Sequence, residues 1–355
     1  MKVRTVSIRV ERLSKKWKNF SIPDVSLRVA NDEYFVIVGP TGAGKTLLLE
    51  LIAGFHKPDS GKIWINDVDV TAFPPERRGI GFVPQEYMLF PHMTVAENVE
   101  FGLKMHNIQQ SERKKNVKEV LEFMELSSIR DRLPMTLSGG EEQKTALARA
   151  LIIKPKILLL DEPLSALDVN TQKKMQNELK KLHEELKITT VHVTHNQVEA
   201  LILADRLAVI KDGTIIQTGS PEQVFHKPKD DFVARFVGFE NLFEGKILEN
   251  HGGVARIDIG GVTVEAVTEK VENCVVGVRP DDIIVSKRSF RSSIRNTLKG
   301  KLIDFVDMGS LVSLTVNVDT ASFVALITKR SFLEMKLKKG SGVYLSFKAS
   351  AVHVI

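Results

Sequence analysis

The first two thirds of the chain alternate short apolar runs with longer segments whose apolar residues recur at helical spacing. Ile157–Leu160 is a continuous apolar run, typical of a strand buried on both faces of a parallel sheet, and Thr189–Val193 is predicted as a second such strand. The other predicted strands are Val3–Val10, Val25–Val29, Glu33–Val38 and Lys62–Ile65, and the predicted helices are residues 47–53, Ser111–Met124, Glu141–Ile153 and Thr171–Leu186. Strands that alternate with helices predict an α/β domain with a mostly parallel core.

The pattern changes near Glu240, where short β-type runs follow one another at close spacing. These runs are Gly253–Ile259, Val262–Ala266, Cys274–Val278, Lys301–Val306, Leu311–Val318, Phe323–Ile327 and Val343–Phe347. Only Ser331–Leu337 suggests a helix in this part. The pattern predicts a second, small and mainly β domain that resembles a barrel. We therefore expect two domains, residues 1–238 and residues 239–355, joined by a link from Lys227 to Gly238.

Length and charge limit the classes of function. The 355 residues favour two or three domains with a large buried core. The formal charge is +6, and residues 240–355 hold 16 basic and 13 acidic side chains, so the charge is spread along the chain. Because a nucleic-acid groove needs a concentrated basic patch, we expect no nucleic-acid partner. One run without an acidic residue contains Lys287, Arg288, Arg291, Arg295, Lys299 and Lys301; charge alone favours a solvated face there.

Cysteine content and hydropathy indicate a cytoplasmic protein. The single cysteine, Cys274, excludes an internal disulfide and is expected to be a small core residue. No apolar run approaches the 18 or more residues of a membrane span, and residues 1–18 do not have the pattern of a signal peptide. We expect any role at a membrane to depend on a partner protein.

A phosphate-binding loop follows the strand that ends at Val38. Its residues are Gly39, Pro40, Thr41, Gly42, Ala43, Gly44, Lys45 and Thr46, which fit the pattern of Gly, four residues, and Gly-Lys-Thr. Glycines let backbone N–H groups surround phosphates, and the helix that follows adds the positive end of its dipole. Lys45 is expected to reach the β- and γ-phosphates of ATP, and Thr46 is expected to hold Mg²⁺.

Two neighbouring carboxylates follow the buried strand Ile157–Leu160. Asp161 is placed to bind Mg²⁺, and Glu162 is placed to polarise the attacking water as a general base. A second anion-binding turn, Ser138, Gly139 and Gly140, stands directly before a predicted helix. One γ-phosphate does not need two such turns from one chain, but both are needed when two chains face each other.

These motifs resemble those of the ATP-binding cassette family, in which two subunits enclose two ATP molecules. The resemblance covers residues 1–238, and it implies a phosphate-loop NTPase fold with a mixed sheet core and a helical subdomain. It assigns roles to four further residues. Gln85 senses Mg²⁺ and the membrane partner, and Asp168 closes the loop that crosses the dimer. His195 contacts the γ-phosphate, and Trp17 stacks on adenine, with Phe20 as the alternative. Leu47 stands where many members carry a second hydroxyl, so its contact to the α-phosphate is expected through the backbone.

The C-terminal part resembles the small molybdate-binding β module of importer ATPases. Three segments carry the resemblance: Ser293–Gly300, Ile327–Ser331 and Phe347–Val352. A tetrahedral dianion needs hydroxyl and N–H donors with modest positive charge. The residues expected to bind the oxyanion are Ser293, Ile294, Arg295, Asn296, Thr328, Ser331, Lys348, Ala349 and Ser350. In this family such sites form between two copies of the module.

The resemblance implies the ATPase subunit of an importer for molybdate or tungstate. It would be a peripheral protein on the cytoplasmic face of the membrane, which forms a homodimer and drives a permease dimer served by an extracytoplasmic substrate-binding protein. Oxyanion bound at the C-terminal domain would inhibit the motor. Two alternatives stay open: an importer ATPase for sulfate, phosphate, polyamine or sugar, and a soluble cassette ATPase that acts on DNA or ribosomes. The second would need a coiled coil within the cassette or two cassettes in one chain, and the sequence has neither.

Overall fold

The structure, a computed structural model, describes residues 5–270, 272, 274–290 and 292–355. The chain divides into two compact units, Met1–Pro221 and Glu222–Ile355. Residue 238, after which the domain boundary was expected, lies inside the second unit. Residues 227–238, expected to be a link, contain a helix, Asp231–Phe236, whose N-terminus is capped by the Asp230 side chain. No helix in these described ranges is long and apolar enough to cross a membrane.

The first unit combines a parallel sheet, an antiparallel sheet and helices. Its strands are β1 (Val6–Lys16), β2 (Ser21–Ala30), β3 (Tyr34–Val38), β4 (Ser60–Ile65), β5 (Val68–Asp69), β6 (Ile80–Val83), β7 (Ile157–Asp161), β8 (Thr189–Thr194), β9 (Arg206–Lys211) and β10 (Thr214–Gly219), and its helices are α1 (Lys45–Ala53), α2 (Val95–Met105), α3 (Gln110–Phe123), α4 (Gly139–Leu151), α5 (Val169–Leu186) and α6 (Gln197–Leu203). The six-stranded sheet has the order β10-β9-β3-β8-β7-β6, with β10 as an antiparallel edge, and the four-stranded sheet has the order β2-β1-β4-β5.

The predicted buried strands are confirmed as β7 and β8, in which every residue is buried. The strand predicted at Val3–Val10 starts in residues outside the described ranges, and β1 runs on to Lys16 because it pairs with both β2 and β4. Helix α2 has no counterpart among the predicted elements. Its signal was present, because Thr94 and Glu97 form a capping box at its N-terminus.

The register of the central sheet determines which loops meet. Val38 pairs with Thr194 across β3 and β8, and Asp161 pairs with Val193 across β7 and β8. The three strands therefore end side by side at one edge of the sheet. In α/β proteins, ligands bind beyond the carboxyl ends of parallel strands, so this edge is where a site is expected.

The second unit is mainly β, as predicted. Its elements are α7 (Pro221–His226, which begins one residue earlier), α8 (Asp231–Phe236), β11 (Asn241–His251), β12 (Val254–Asp258), β13 (Thr263–Val267), β14 (Cys274–Val278), β15 (Ile284–Ser286), β16 (Asn296–Asp307), β17 (Leu311–Val318), β18 (Ala321–Thr328), α9 (Lys329–Glu334), β19 (Gly342–Phe347) and β20 (Val352–Val354). Two antiparallel sheets, β13-β12-β11-β14-β20 and β15-β19-β16-β17-β18, pack on one apolar core, and each forms half of a barrel-like arrangement.

Candidate functional site

The phosphate loop connects β3 to α1 and is shaped by two close approaches. A Cβ atom on Gly39 would lie 2.3 Å from the carbonyl oxygen of Ile210, so only glycine fits there. Gly44 caps α1 with φ of 93°, in the left-handed region that favours glycine, and the Phe20 ring covers it. Pro40, Thr41 and Gly42 are exposed, Ala43 is buried, and Leu47 packs on the core. The loop can therefore present its backbone to a phosphate chain.

The Lys45 side chain folds back onto the phosphate loop. Its Nζ atom donates hydrogen bonds to the carbonyl oxygens of Gly39 and Pro40, at 3.0 and 2.9 Å, and lies 3.6 Å from Glu162 Oε1. The side chain is buried, and this burial lowers the pKa of Lys45 although Glu162 opposes the shift. The ammonium group is held between the loop and the proposed base.

Thr46 and Asp161 form a pair that suits a divalent cation. The Thr46 hydroxyl donates a 2.9 Å hydrogen bond to Asp161 Oδ1, and Asp161 is only 3% exposed. Burial, with the carboxylates of Glu162 and Glu50 nearby, raises the pKa of Asp161 to about 6, although the Thr46 hydroxyl and Lys45 oppose the shift. A hydroxyl beside a desolvated carboxylate is the type of oxygen set that Mg²⁺ takes, so these residues fit the expected metal.

Replacing Asp161 by asparagine is expected to stabilise the nucleotide-free chain. Its folded pKa of about 6 lies above the unfolded value of about 3.9, so ionisation of this group costs stability as the pH rises through 6. We expect Asp161→Asn to raise the free energy of unfolding by about 2–3 kcal/mol at pH 8 and to leave it unchanged near pH 4. Denaturant unfolding at both values checks this, with the exposed Asp24→Asn as the control. Equal stability of Asp161→Asn and the parent chain at pH 8 would contradict it.

Glu162 and His195 meet at the ends of β7 and β8. His195 Nδ1 lies 3.0 Å from Glu162 Oε2, and the Glu162 backbone N–H donates a 2.9 Å hydrogen bond to the Val193 carbonyl. Glu162 has φ of 43°, and Ser165 closes the turn by donating to its carbonyl oxygen at 2.8 Å. The His195 side chain is 53% exposed, whereas that of Glu162 is 14% exposed. The exposed His195 ring can contact a ligand from solvent, while hydrogen bonds hold the backbone of Glu162 in place.

Gln85 lies in an exposed turn after β6. Two residues that no motif predicted hold this turn. The Tyr87 hydroxyl donates a 3.0 Å hydrogen bond to the Pro163 carbonyl beside Glu162, and Arg149 donates to the carbonyl oxygens of Tyr87 and Met88 at 2.6 and 2.7 Å. The turn is thus tied to the end of β7 and to α4.

The turn Ser138–Gly140 begins α4. Ser138 accepts the backbone N–H of Glu141 at 3.4 Å, and Glu141 Oε2 accepts the N–H of Ser138 at 2.7 Å, which is a capping box. A Cβ atom on Gly139 would lie 3.1 Å from a methyl group of Leu167, so the turn packs beside the loop of Asp168. Asp168 caps α5 by accepting the N–H groups of Asn170 and Thr171. Ser138, Gly139 and Asp168 are exposed, and Gly140 is half-buried.

The two candidate aromatics differ in their surroundings. Trp17 is half-buried and meets His56 edge-on, with ring centroids 5.6 Å apart. The Phe20 ring rests on Gly44 of the phosphate loop and lies 6.5 Å from Trp17. Stacking of adenine on Trp17 stays a prediction.

The expected oxyanion residues fall into two groups within one chain. Asn296 pairs with Phe347, so Ser293–Asn296 and Lys348–Ser350 lie together at one end of β16. Thr328 pairs with Leu311 near the other end, where its hydroxyl caps α9 and lies 2.8 Å from the Ser331 hydroxyl. The 12 residues of β16 span roughly 35 Å, so one copy does not bring the two groups together.

Two members of the first group already have protein partners. The Asn296 amide accepts the N–H of Glu265 at 2.6 Å and donates to its carbonyl at 2.8 Å, which joins β16 to β13. Arg295 is exposed and pairs with the Glu265 carboxylate at 3.2 Å. Ser293, Lys348 and Ser350 are exposed, Ile294 is half-buried and Ala349 is buried. Arg291, part of the basic run, lies outside the described residues.

The chain is similar to known proteins along its whole length. Residues 22–165 match the family model described as ABC transporter, and residues 292–354 match the TOBE domain. The molybdate/tungstate import ATP-binding protein WtpC of Pyrococcus abyssi is 44% identical over 351 residues, 98% of this chain and 99% of that protein. The protein of the same name from Pyrococcus horikoshii is 43% identical over 347 residues, with the same coverage.

Solved structures agree with the fold of the first unit. The dimeric ATP-binding cassette MJ0796, in a post-hydrolysis state with ADP and Pi, is 33% identical and aligns with a TM-score of 0.55 over 60% of this chain and 98% of that cassette. The resemblance stated from the motifs is therefore confirmed at the level of the family. The chain belongs to the ABC transporter family, as an ATP-hydrolysing subunit that carries a C-terminal TOBE domain.

Proposed function

We propose that this subunit powers the import of molybdate or tungstate and that the second unit senses the imported oxyanion. The observation that carries the proposal is the 44% identity to a molybdate/tungstate import ATP-binding protein across both units. The first unit supplies the motor residues at one sheet edge, and the second supplies hydroxyl groups and cationic side chains suited to a tetrahedral dianion.

Hydrolysis is assigned to residues that the sheet brings together. Glu162 takes a proton from the attacking water, and His195, hydrogen-bonded to Glu162, contacts the γ-phosphate. Lys45 and the loop N–H groups hold the β- and γ-phosphates, and Trp17 stacks on adenine. Thr46, Asp161 and Gln85 would hold Mg²⁺, which neutralises phosphate charge when bound.

A second copy completes the site. Ser138, Gly139 and Asp168 are exposed on the first unit, next to each other and at the N-termini of α4 and α5, so they can face the nucleotide of a partner subunit. In the turn of Gln85 the Met88 side chain is exposed, and the exposed Phe55 ring packs on Phe82 of the strand that leads into this turn, so both can offer apolar surface to the membrane permease. The permease would receive substrate from an extracytoplasmic binding protein.

The split oxyanion set supports a sensor shared between two copies. One end of β16 offers Ser293, Arg295 and Lys348, and the other end offers Thr328 and Ser331. Because about 35 Å separates the ends, a compact anion site needs one end from each of two chains. We propose that oxyanion bound there holds the cassettes apart and inhibits ATP hydrolysis.

Rising molybdate is expected to inhibit ATP hydrolysis by the assembled transporter, with sulfate as the arm that tests anion selectivity. Removal of a charge-assisted contact costs about 1.5–3 kcal/mol, so Arg295→Ala and Lys348→Ala are each expected to raise the half-inhibiting concentration by about 10- to 100-fold. Arg256→Ala is the matched control, because Arg256 is exposed in the same unit and pairs with a glutamate, Glu249, as Arg295 does with Glu265, but is not one of the expected oxyanion residues. Unchanged ATPase activity, or equal inhibition of all variants, would refute the sensor.

A further inference from the structure

A chain of buried polar groups runs beneath the turn that carries His195. Tyr34 on β3, His192 and Thr194 on β8, and Glu199 on α6 are each at most 3% exposed. The Tyr34 hydroxyl lies 2.9 Å from His192 Nδ1, His192 Nε2 lies 3.4 Å from Glu199 Oε2, and the Thr194 hydroxyl donates to Glu199 Oε2 at 2.7 Å. The four groups link the central sheet to α6.

Burial and neighbouring groups determine the protonation of Tyr34 and of Glu199. Burial, with Glu199 nearby, raises the pKa of Tyr34 far above its usual value, so the phenol keeps its proton beside His192 Nδ1. Burial alone would raise the pKa of Glu199, but the facing His192 ring and the hydrogen bond from Thr194 outweigh it and lower the pKa. Glu199 is therefore a carboxylate that accepts the Thr194 hydroxyl and faces the His192 ring.

The Thr194 hydroxyl connects this chain to the backbone around His195. While it donates to Glu199, it accepts the backbone N–H of Asn196 at 3.0 Å. Asn196 in turn accepts the N–H groups of Val198 and Glu199 and so caps α6. The residues on both sides of His195 are thus fixed to the helix that carries Glu199.

We propose that Glu199 and Thr194 are positioning residues that set the direction of the His195 imidazole toward Glu162 and thereby set the rate of ATP hydrolysis. A buried carboxylate and hydroxyl cost desolvation energy that apolar residues of the same size would avoid, so stability alone does not explain them. His195 itself is half-exposed, and among the described residues its side chain pairs with Glu162, so the direction of its backbone has to be fixed by the neighbouring residues. This inference rests on the proposed role of His195.

The test replaces the hydroxyl without changing the volume. Thr194→Val removes both hydrogen bonds, and Thr194→Ser keeps the hydroxyl. A misplacement of about 1 Å can cost about 100-fold in rate, so Thr194→Val and Glu199→Gln are expected to lower kcat by about 10- to 100-fold with KM for ATP changed less than about twofold. Thr194→Ser is expected to stay within about threefold of the parent kcat.

A control on the same strand separates positioning from general destabilisation. Thr190 is equally buried on β8, and among the described residues its hydroxyl forms hydrogen bonds only with Ile188 and His183. Thr190→Val is expected to keep kcat within about twofold of the parent value. If Thr190→Val lowers kcat as much as Thr194→Val, or if Thr194→Ser is as slow as Thr194→Val, the positioning role is overturned.

His195→Ala, assayed in parallel, distinguishes the proposed role of His195 in hydrolysis from the positioning role of Thr194 and Glu199. In that background Thr194→Val is expected to add less than about a twofold loss, because the residue it positions is gone. Full turnover in His195→Ala would refute the proposed role of His195. A slow His195→Ala beside normal kcat in Thr194→Val and Glu199→Gln would refute only the positioning role. Should Thr194→Val not fold, Glu199→Gln against Thr194→Ser makes the same comparison.

Discussion

Replacement of Glu162 by glutamine is expected to stop ATP turnover while ATP stays bound and the dimer stays closed. Glutamine keeps the size of the side chain and can still bond to His195, but it does not take a proton from water. General-base catalysis contributes about 100- to 10,000-fold, so we expect a loss of at least about 100-fold in kcat. Steady-state ATPase activity and retention of labelled ATP on the dimer measure the two effects.

The control for this variant is Glu184→Gln, which removes the same charge from an exposed position on α5. It is expected to hydrolyse ATP at the parent rate. Normal hydrolysis in Glu162→Gln would remove Glu162 as the base. Loss of ATP binding in that variant would instead indicate that the carboxylate mainly holds Lys45, whose Nζ lies 3.6 Å away.

Truncation of Lys45 is expected to have the second large effect, on ATP affinity. Lys45→Ala removes a buried ammonium group that the loop carbonyls of Gly39 and Pro40 hold in place. A hydrogen bond to a charged group contributes about 3 kcal/mol at most, which corresponds to about a 100-fold loss of affinity for each bond to phosphate. We expect ATP binding, measured by calorimetry, to weaken by about 100-fold or more.

Lys173→Ala is the matched control for Lys45, because Lys173 is exposed on α5 and the same charge is lost. Its ATP affinity is expected to stay within about twofold of the parent value. Unchanged affinity in Lys45→Ala would contradict the assignment of Lys45 to the phosphates.

The edge that holds the motor residues follows from the sequence because it depends on local patterns and on sheet geometry. The loop Gly39–Thr46 and the pair Asp161 and Glu162 each follow a buried strand, and parallel strands end at the same edge. His195 lies beside Glu162 because the strand before it, β8, pairs with β7 in the order that the motifs imply. Three short-range patterns therefore determine most of this arrangement.

Other contacts depend on long-range packing that no local pattern records. Arg149 reaches two carbonyl oxygens more than 60 residues earlier in the chain, and nothing near Arg149 marks that target. Asn296 was expected to face an anion, yet its amide is taken up by the backbone of Glu265. The separation of Thr328 from Lys348 follows from the length and register of β16, which the sequence analysis placed only from Lys301 onward.

The length of β16 has a genetic consequence for the proposed oxyanion sensor. If each anion site takes one end of β16 from each of two chains, a twofold-symmetric pair has two equivalent sites. A mixed pair, with Arg295 lost from one copy and Thr328 lost from the other, then gathers both defects in one site and leaves the second intact. Two defective alleles expressed together would partly complement each other: with random pairing about half of the pairs are mixed, so about a quarter of all sites would be intact. Pairs whose two copies each carry both defects would have no intact site.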